Sequence, residues 1–345
     1  MKYMIWNNKG GVGKTFATFL LATGYAQAHP EKRVVAIDLC PQANLSEMLL
    51  GGNGKGEDNL DKLYDLERTI TGYIKSRYTG SRSSKTGTEA TFFVPVKQYN
   101  NSMPDNLFLL PGDTDLDIGG EIIQYLGSGP QRTAWKDSRL LLFDLIDSFI
   151  KNSTSGSTHQ PIFFIDCNPS FAVYTQLAVA VADRLIIPCT ADSASIRAIY
   201  NLFRLIYGIE LVEKLAKNLD NSFINFSQKA TESGLNLPRI HLFLQNKSRS
   251  HDSKASAAYR AHIEQINRIA RDAQEQNLDR FTNGTTLVHN LKDGNTLASV
   301  LNHTGLPLNR VEAKTYRIYD EMTQVNQVQV NALRNDLDEC LALLG

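Results

Sequence analysis

The sequence predicts an α/β fold: a doubly wound, mostly parallel sheet flanked by helices. Three observations predict it. A short apolar strand, Lys2 to Trp6, runs into a glycine-rich turn and then into a helical segment. Two further runs, Arg33 to Asp38 (RVVAID) and Pro161 to Asp166 (PIFFID), are continuously apolar and end in a carboxylate. Strands of that kind are buried on both faces, as in a parallel sheet covered by helices. Finally, strand-like and helical segments alternate along most of the chain, which is the order of right-handed strand–helix–strand crossovers.

The elements follow in order. Thr15 to Ala28 reads as a helix with Phe16, Phe19, Leu20 and Ala22 on one face. After the second strand the pattern breaks over residues 51–103. Gly51, Gly52, Gly54 and Gly56 crowd together, Asp61 to Lys75 reads as one helix, and Tyr78 to Thr88 is polar, with Arg77, Arg82 and Lys85 nearby. That polar stretch suits a solvated loop or a contact surface. Asn106 to Leu110 is a strand closed by Pro111-Gly112. A helix is expected from Arg132 to Lys151 and a Ser/Thr-rich loop from Asn152 to His159. Then come the strand ending at Asp166, a helix over Phe171 to Ala182 and a strand over Arg184 to Pro188. A long helix is expected within Ser193 to Leu219, a strand over Arg239 to Gln245 and a helix over Lys254 to Asn277. Beyond Thr286 to His289 the chain is expected to be helical to its end. There Ile318, Met322, Val325, Leu333, Leu337, Leu341 and Leu344 recur at helical spacing, fit to pack on the sheet or on a partner. The whole reads as one domain over residues 1–345, with an insertion at about 51–103 and a helical part at about 290–345.

Bulk composition bounds the function classes. The 345 residues are 42% hydrophobic and 21% charged, ample for a large core. Lys plus Arg and Asp plus Glu both total 36, so contact with nucleic acid would need a local basic patch. Cys40, Cys167, Cys189 and Cys340 are dispersed and read as buried reduced thiols. Neither a signal peptide nor a membrane-spanning run is evident, and a cytoplasmic location is expected.

The chemistry is concentrated in Lys9-Gly10-Gly11-Val12-Gly13-Lys14-Thr15. Glycines between a strand and a helix let successive backbone N–H groups turn toward phosphate oxygens. The helix N-terminus adds its positive dipole end. Lys14 suits the β- and γ-phosphates of a nucleotide, and the Thr15 hydroxyl suits Mg²⁺. This is a P-loop NTPase arrangement with Gly10, Gly11, Val12, Gly13, Lys14, Thr15 and Phe16 as the cofactor-binding segment. Its first glycine is replaced by Asn8, and a second lysine, Lys9, opens it.

The two-lysine loop resembles the deviant Walker A motif of the ParA/MinD family of dimerising ATPases. The resemblance implies an ATP hydrolase, using ATP and Mg²⁺, that works as an ATP-dependent homodimer. Lys14 would hold its own nucleotide and Lys9 would reach the partner protomer's phosphates. Asp38-Leu39-Cys40-Pro41-Gln42-Ala43-Asn44 resembles the family's switch I segment, with Asp38 expected to orient the attacking water beside the metal. Family members often carry a second acid where this chain has Cys40. Ile162 to Ser170 (IFFIDCNPS) resembles Walker B, with Asp166 expected to hold Mg²⁺ opposite Thr15; Asn168 replaces a proline usual in the family. Leu244-Gln245-Asn246-Lys247 resembles the base-recognition loop, which assigns Asn246 to adenine. The resemblance also implies a ParB-like or other adaptor that stimulates slow hydrolysis, and nucleoid DNA as a partner through residues such as Arg249, Lys254 and Arg260. Plasmid or chromosome partition, or cargo positioning, is the implied role. A mobile-element or defence module, or a metabolic or assembly ATPase, would share the motifs. An acidic end, with Asp336, Asp338 and Glu339, argues against lipid binding.

Overall fold

The computed structural model describes residues 1–79, 89–153, 159–211, 226–248, 257–282, 288–292 and 294–344. Its centre is a sheet that, among the described residues, has eight strands: β1 (Lys2–Ile5), β2 (Val34–Leu39), β3 (Val94–Pro95), β4 (Leu107–Leu110), β5 (Ile162–Cys167), β6 (Arg184–Cys189), β7 (Arg239–Ser248) and β8 (Val288–Lys292). Their spatial order is β3-β4-β2-β5-β1-β6-β7-β8. All neighbours are parallel except β3, which runs antiparallel to β4 at the edge.

Alternation within the strands explains the continuous apolar runs. Tyr3, Ile5, Val34, Ala36 and Phe164 face one apolar layer, and Met4, Val35, Ile37, Phe163 and Ile165 face the other. The first layer is built with α1 (Lys14–Ala28), α2 (Asn44–Leu50) and α3 (Lys55–Asp65). The second layer uses α4 (Ile70–Tyr78), α5 (Leu116–Gly127), α6 (Ala134–Arg139), α7 (Leu141–Ser153), α8 (Val173–Val181), α9 (Ser193–Leu202), α10 (Phe226–Glu232) and α11 (Ala257–Gln276). The strand order reverses direction around β1. The carboxyl ends of β1, β2 and β5, where an open α/β sheet offers its crevice, therefore carry the glycine loop, Asp38 and Asp166.

Several expected elements are corrected. The single helix over Asp61 to Lys75 is two helices, α3 and α4. Between them Glu67 adopts φ 52°, and Thr69 restarts the helix by accepting a hydrogen bond from the Gly72 N–H at 3.2 Å. The helix over Arg132 to Lys151 is likewise split, into α6 and α7, at Leu140. Helix α5 was not expected. Its Gly119 and Gly120 lower helical propensity, yet they let it lie close to Thr71, Ile74 and Tyr174.

The end of the chain is not wholly helical. It contains α12 (Asn295–Thr304), a hairpin of β9 (Thr315–Ile318) and β10 (Glu321–Gln324), and α13 (Gln327–Leu341). Ile318 and Met322 lie on the hairpin, and Met322 is 70% exposed. Leu333, Leu337 and Leu344 are buried in the first layer, where Leu337 and Leu341 press on Gly24 of α1. The four cysteines are buried and unbridged. Of the basic positions, Arg82, Lys85, Arg249 and Lys254 lie outside the described residues, as does most of the Ser/Thr-rich loop. No helix among the described residues is long and apolar enough to cross a membrane.

One close approach fixes the insertion to the C-terminal part. Gly52, at φ 75°, sits so that an added Cβ would lie 2.4 Å from the His303 carbonyl oxygen and 2.6 Å from the Gly305 nitrogen. Gly234, at φ 67°, has open space at the same position. We therefore expect Gly52→Ala to destabilise the protein by about 2–4 kcal/mol. Gly234→Ala should cost only about 1 kcal/mol, the left-handed backbone penalty alone. Equilibrium denaturation of the two variants checks the contrast.

Candidate functional site

The glycine loop is stapled in place by the three residues before it. The Trp6 indole N–H donates to the Asn168 carbonyl at 2.8 Å, Asn7 Nδ2 to the Pro188 carbonyl at 2.6 Å, and Asn8 Nδ2 to the Pro169 carbonyl at 3.1 Å. These ties run to the loop after β5 and to the end of β6, joining both to the glycine loop. The sequence reading missed Asn7 and Asn8. The signal was available as two amides preceding the motif, but their partners are about 160 and 180 residues away, as long-range loop contacts commonly are.

Gly11 and Gly13 take φ 71° and 80°, and α1 begins at Lys14. Lys14 is buried, and its Nζ donates to the Lys9 carbonyl at 2.8 Å. Burial lowers its pKa, and the nearby Asp166 opposes that. A desolvated ammonium at a helix N-terminus is a strong attractor for an anion. Thr15 Oγ1 donates to Asp166 Oδ2 at 2.7 Å, and Thr18 Oγ1 approaches Asp166 Oδ1 at 3.4 Å. Asp166 and Asp38 are register partners on β5 and β2. Burial pushes both carboxyls above the usual range, and their mutual repulsion adds to the rise at Asp166.

A cleft of about 420 Å³ opens beside the loop. It is lined by Gly11, Gly13, Lys14, Thr15 and Phe16 of the loop and α1, by Cys40, Gln42, Asn44, Glu47 and Met48, and by Asn53, Cys167, Pro169 and Asn302. Lys14 and Thr15 line the cleft, and Asp166, buried behind it, is reached from Thr15. The hydroxyl of Thr15 and the Asp166 carboxylate are hard oxygen donors. They would hold Mg²⁺ with the nucleotide's own phosphates, as this ion is commonly bound. The loop N–H groups and Lys14 fit a triphosphate.

Two further expected site residues lie off the cleft in this structure. Asp38 does not line the cleft. It is fully buried, and its carboxylate accepts from the Cys40 N–H at 3.1 Å, the Ser46 N–H at 2.9 Å and the Ser46 hydroxyl at 2.8 Å. Its side chain is thereby turned into the fold, holding the start of α2. Of this segment Cys40, Gln42 and Asn44 line the cleft, and the Cys40 thiol is pushed up to about 11 by burial and by Asp38. Asn246 is also absent from the cleft wall. It is buried, its Nδ2 donates to the Val12 carbonyl at 3.0 Å, and it occupies the space a Cβ on Gly13 would need. Asn246 buttresses the loop in this arrangement. Lys9 points elsewhere again: its Nζ lies 2.5 Å from Asp192 Oδ2 and donates to Thr190 Oγ1 at 2.8 Å and Ser195 Oγ at 3.3 Å.

With this geometry in view, residues 3–337 match the model of the CobQ/CobB/MinD/ParA nucleotide binding domain. The chain belongs to that family. Its fold is shared with the apo McdA protein of Cyanothece, at TM-score 0.62 and 16% identity over 100% of this chain and 99% of that one. A variant of the same protein in complex with ATP matches at TM-score 0.61 and 16% identity, over 100% of this chain and 96% of that one. A plasmid partition protein of Borrelia burgdorferi bound to AMPPNP matches at TM-score 0.54 and 16% identity, over 99% and 98%. Among curated protein sequences none matches the chain.

The raised pKa of Asp166 gives a signed prediction. A carboxyl held above its usual range stays protonated until pH rises past that value, and only the carboxylate attracts Mg²⁺. The Mg²⁺-dependent gain in ATP affinity should therefore grow as pH rises through neutrality. It should be small and flat with pH in Asp166→Asn. Titration calorimetry with and without Mg²⁺ checks this; equal pH slopes in both proteins would contradict the assignment.

Proposed function

We propose that this chain is a Mg²⁺- and ATP-dependent dimerising switch of the ParA type, with ATP sandwiched between two protomers. One observation carries the reading: the loop's second lysine does not serve its own cleft. Lys14, the loop N–H groups and the helix dipole already meet the phosphates from one side. Lys9 projects away to Asp192, Thr190 and Ser195 at the start of α9. Asp192 caps that helix by accepting from the Ser195 N–H at 2.9 Å. Partial burial would raise the Asp192 carboxyl, but bonds from Lys9, Thr190 and the Ser195 N–H bring it down to about 2. The pair is partly exposed, and such pairs contribute only about 0–1 kcal/mol. Lys9 can therefore exchange Asp192 for a partner's phosphates at small cost. A protomer with Lys9 on Asp192 is the resting form, and a dimer with Lys9 across the interface is the ATP form.

Hydrolysis in this reading is slow until an adaptor acts. Phosphoryl transfer to water needs the water oriented, and a carboxylate or amide commonly does this. Asp38 is buried, and the groups of its segment that line the cleft, Cys40, Gln42 and Asn44, include no carboxylate. A long-lived ATP state suits a positioning role, and partition proteins among the structural neighbours support the same role. We include duplex DNA as a charge-bound partner. Exposed Arg260, Arg268 and Arg271 on α11 would contact its phosphates, diluted by Glu264, Asp272 and Glu275. Such binding weakens steeply with salt. A cytoplasmic, nucleoid-associated location accompanies this reading.

Two outcomes are expected. Lys9→Ala should bind ATP as tightly as the parent chain but lose ATP-dependent dimerisation, read by light scattering after size exclusion. Normal dimers would sink the trans-acting lysine. Cys40→Asp, which puts a carboxylate on the cleft wall, should raise basal ATP turnover at least ~10-fold. Unchanged turnover would show that a missing carboxylate does not set the rate.

A further inference from the structure

The fold leaves a group of large apolar side chains exposed on one surface built from α3, α4 and α5. Tyr64 is 40% exposed, Leu66 64%, Tyr78 47%, Ile118 52% and Tyr125 68%. Ile118, half-buried Ile122 and Tyr125 recur at i, i+4 and i+7 along α5, while Leu116, Gly119, Gly120 and Ile123 occupy its buried face. Side-chain contacts tie α3 and α4 to the two ends of α5. The Tyr64 hydroxyl donates to Asp115 Oδ2 at 2.8 Å, where α5 begins, and Lys75 Nζ lies 2.7 Å from the same oxygen. At the other end of α5 the Tyr78 and Tyr125 rings meet edge to face at 5.9 Å. None of these residues lines the nucleotide cleft.

The rim is acidic. Asp117 and Glu121 are exposed on α5 itself, and Asp61, Asp65 and Glu67 on α3 and the turn after it, against Lys62 and Arg77 among the described residues; Asp117 also accepts from the Tyr174 hydroxyl at 3.2 Å. Lys75 is already paired with Asp115. An apolar stripe about 10 Å in length along α5, with carboxylates beside it, is complementary to one kind of occupant. We propose that this surface docks a basic amphipathic helix of a partner protein, with apolar anchors at helical spacing lying along α5 and Lys or Arg side chains meeting the flanking carboxylates. A second copy of the chain would set carboxylates against carboxylates. An anionic lipid surface would meet the same repulsion. The inference deepens the adaptor part of the proposed function and rests on that reading only in expecting a partner; nothing in it requires ATP.

The test uses the full chain and a fluorescein-labelled helical peptide of about 18 residues built from Leu and Lys in amphipathic register. Fluorescence anisotropy should show saturable binding that weakens with NaCl. The Ile118→Ser/Tyr125→Ser double variant should bind at least about tenfold more weakly, and so should the Asp117→Lys/Glu121→Lys double variant. Both variants should bind a fluorescent ATP analogue as the parent does, which reports an intact fold and tests the nucleotide reading separately. The same peptide pattern written with Leu and Glu should not bind. Undiminished peptide binding by both variants, or equal binding of the Leu/Glu peptide, would overturn the proposal. So would a nucleotide-free dimer of the parent chain that the Ile118→Ser/Tyr125→Ser change dissolves, because the occupant would then be a second copy.

Discussion

Two carboxylates buried side by side are the constraint around which this site is organised. Asp38 and Asp166 are register partners on adjacent strands, and neither has water to stabilise its charge. Burying charge is costly unless hydrogen bonds and opposite charge compensate it. The compensation reaches into every functional segment. Asp166 is met by Thr15 and Thr18 of α1, with Lys14 close enough to act on it electrostatically. Asp38 is met by the Cys40 and Ser46 N–H groups and the Ser46 hydroxyl, and Ser46 Oγ also accepts from the Gly112 N–H at 3.0 Å. The loop, the start of α2 and the turn leading to α5 are thus held by one polar network. Such networks are rigid when satisfied, and a change of charge at their centre is felt at each member. A divalent cation beside Asp166 is such a change.

The same network separates the roles of two residues that sequence alone makes similar. Both Asp38 and Asp166 end apolar strands, and both look available to a metal. Asp166 faces the loop hydroxyls; Asp38 faces the backbone of its own following turn. As register partners in a parallel pair both side chains leave the sheet on the same face, and what differs is what packs over each and how the following turn folds back. Neither is written in the strand itself. Cys40, two residues on, is buried yet lines the cleft, so the chain presents a neutral thiol there together with the Gln42 and Asn44 side chains. Asn246 was expected in a loop after a strand, reading the base. It lies within β7, where its Nδ2 donates to the Val12 carbonyl and it fills the space beside Gly13.

Much of the fold was legible because its signals are strong and local. The runs RVVAID and PIFFID serve both apolar layers at once, so their lack of alternation was itself the evidence for a covered parallel sheet. The two-lysine loop was legible because strand, glycines, lysine, hydroxyl and helix occur in the order the chemistry needs. Helix α5 was hidden by its adjacent glycines, which weaken helical propensity and are tolerated because neighbouring helices press there. The β9–β10 hairpin was hidden because Ile318, Met322 and Val325 happen to keep helical spacing across a turn. Its Tyr319 takes φ 52° at the bend, and no glycine marks the place.

The functional account turns on Lys9, a cation tethered beside the site it does not serve. Its most direct test mixes two deficient chains. Lys14→Ala cannot hold its own ATP, and Lys9→Ala cannot supply a lysine in trans. Together they can build one complete composite site: ATP on the Lys9→Ala protomer, with Lys9 from the Lys14→Ala protomer. Native mass spectrometry of the mixture with Mg²⁺-ATP should show a heterodimer carrying one ATP, while each variant alone stays monomeric. A mixture that stays monomeric, or dimers formed by Lys9→Ala alone, would contradict the account.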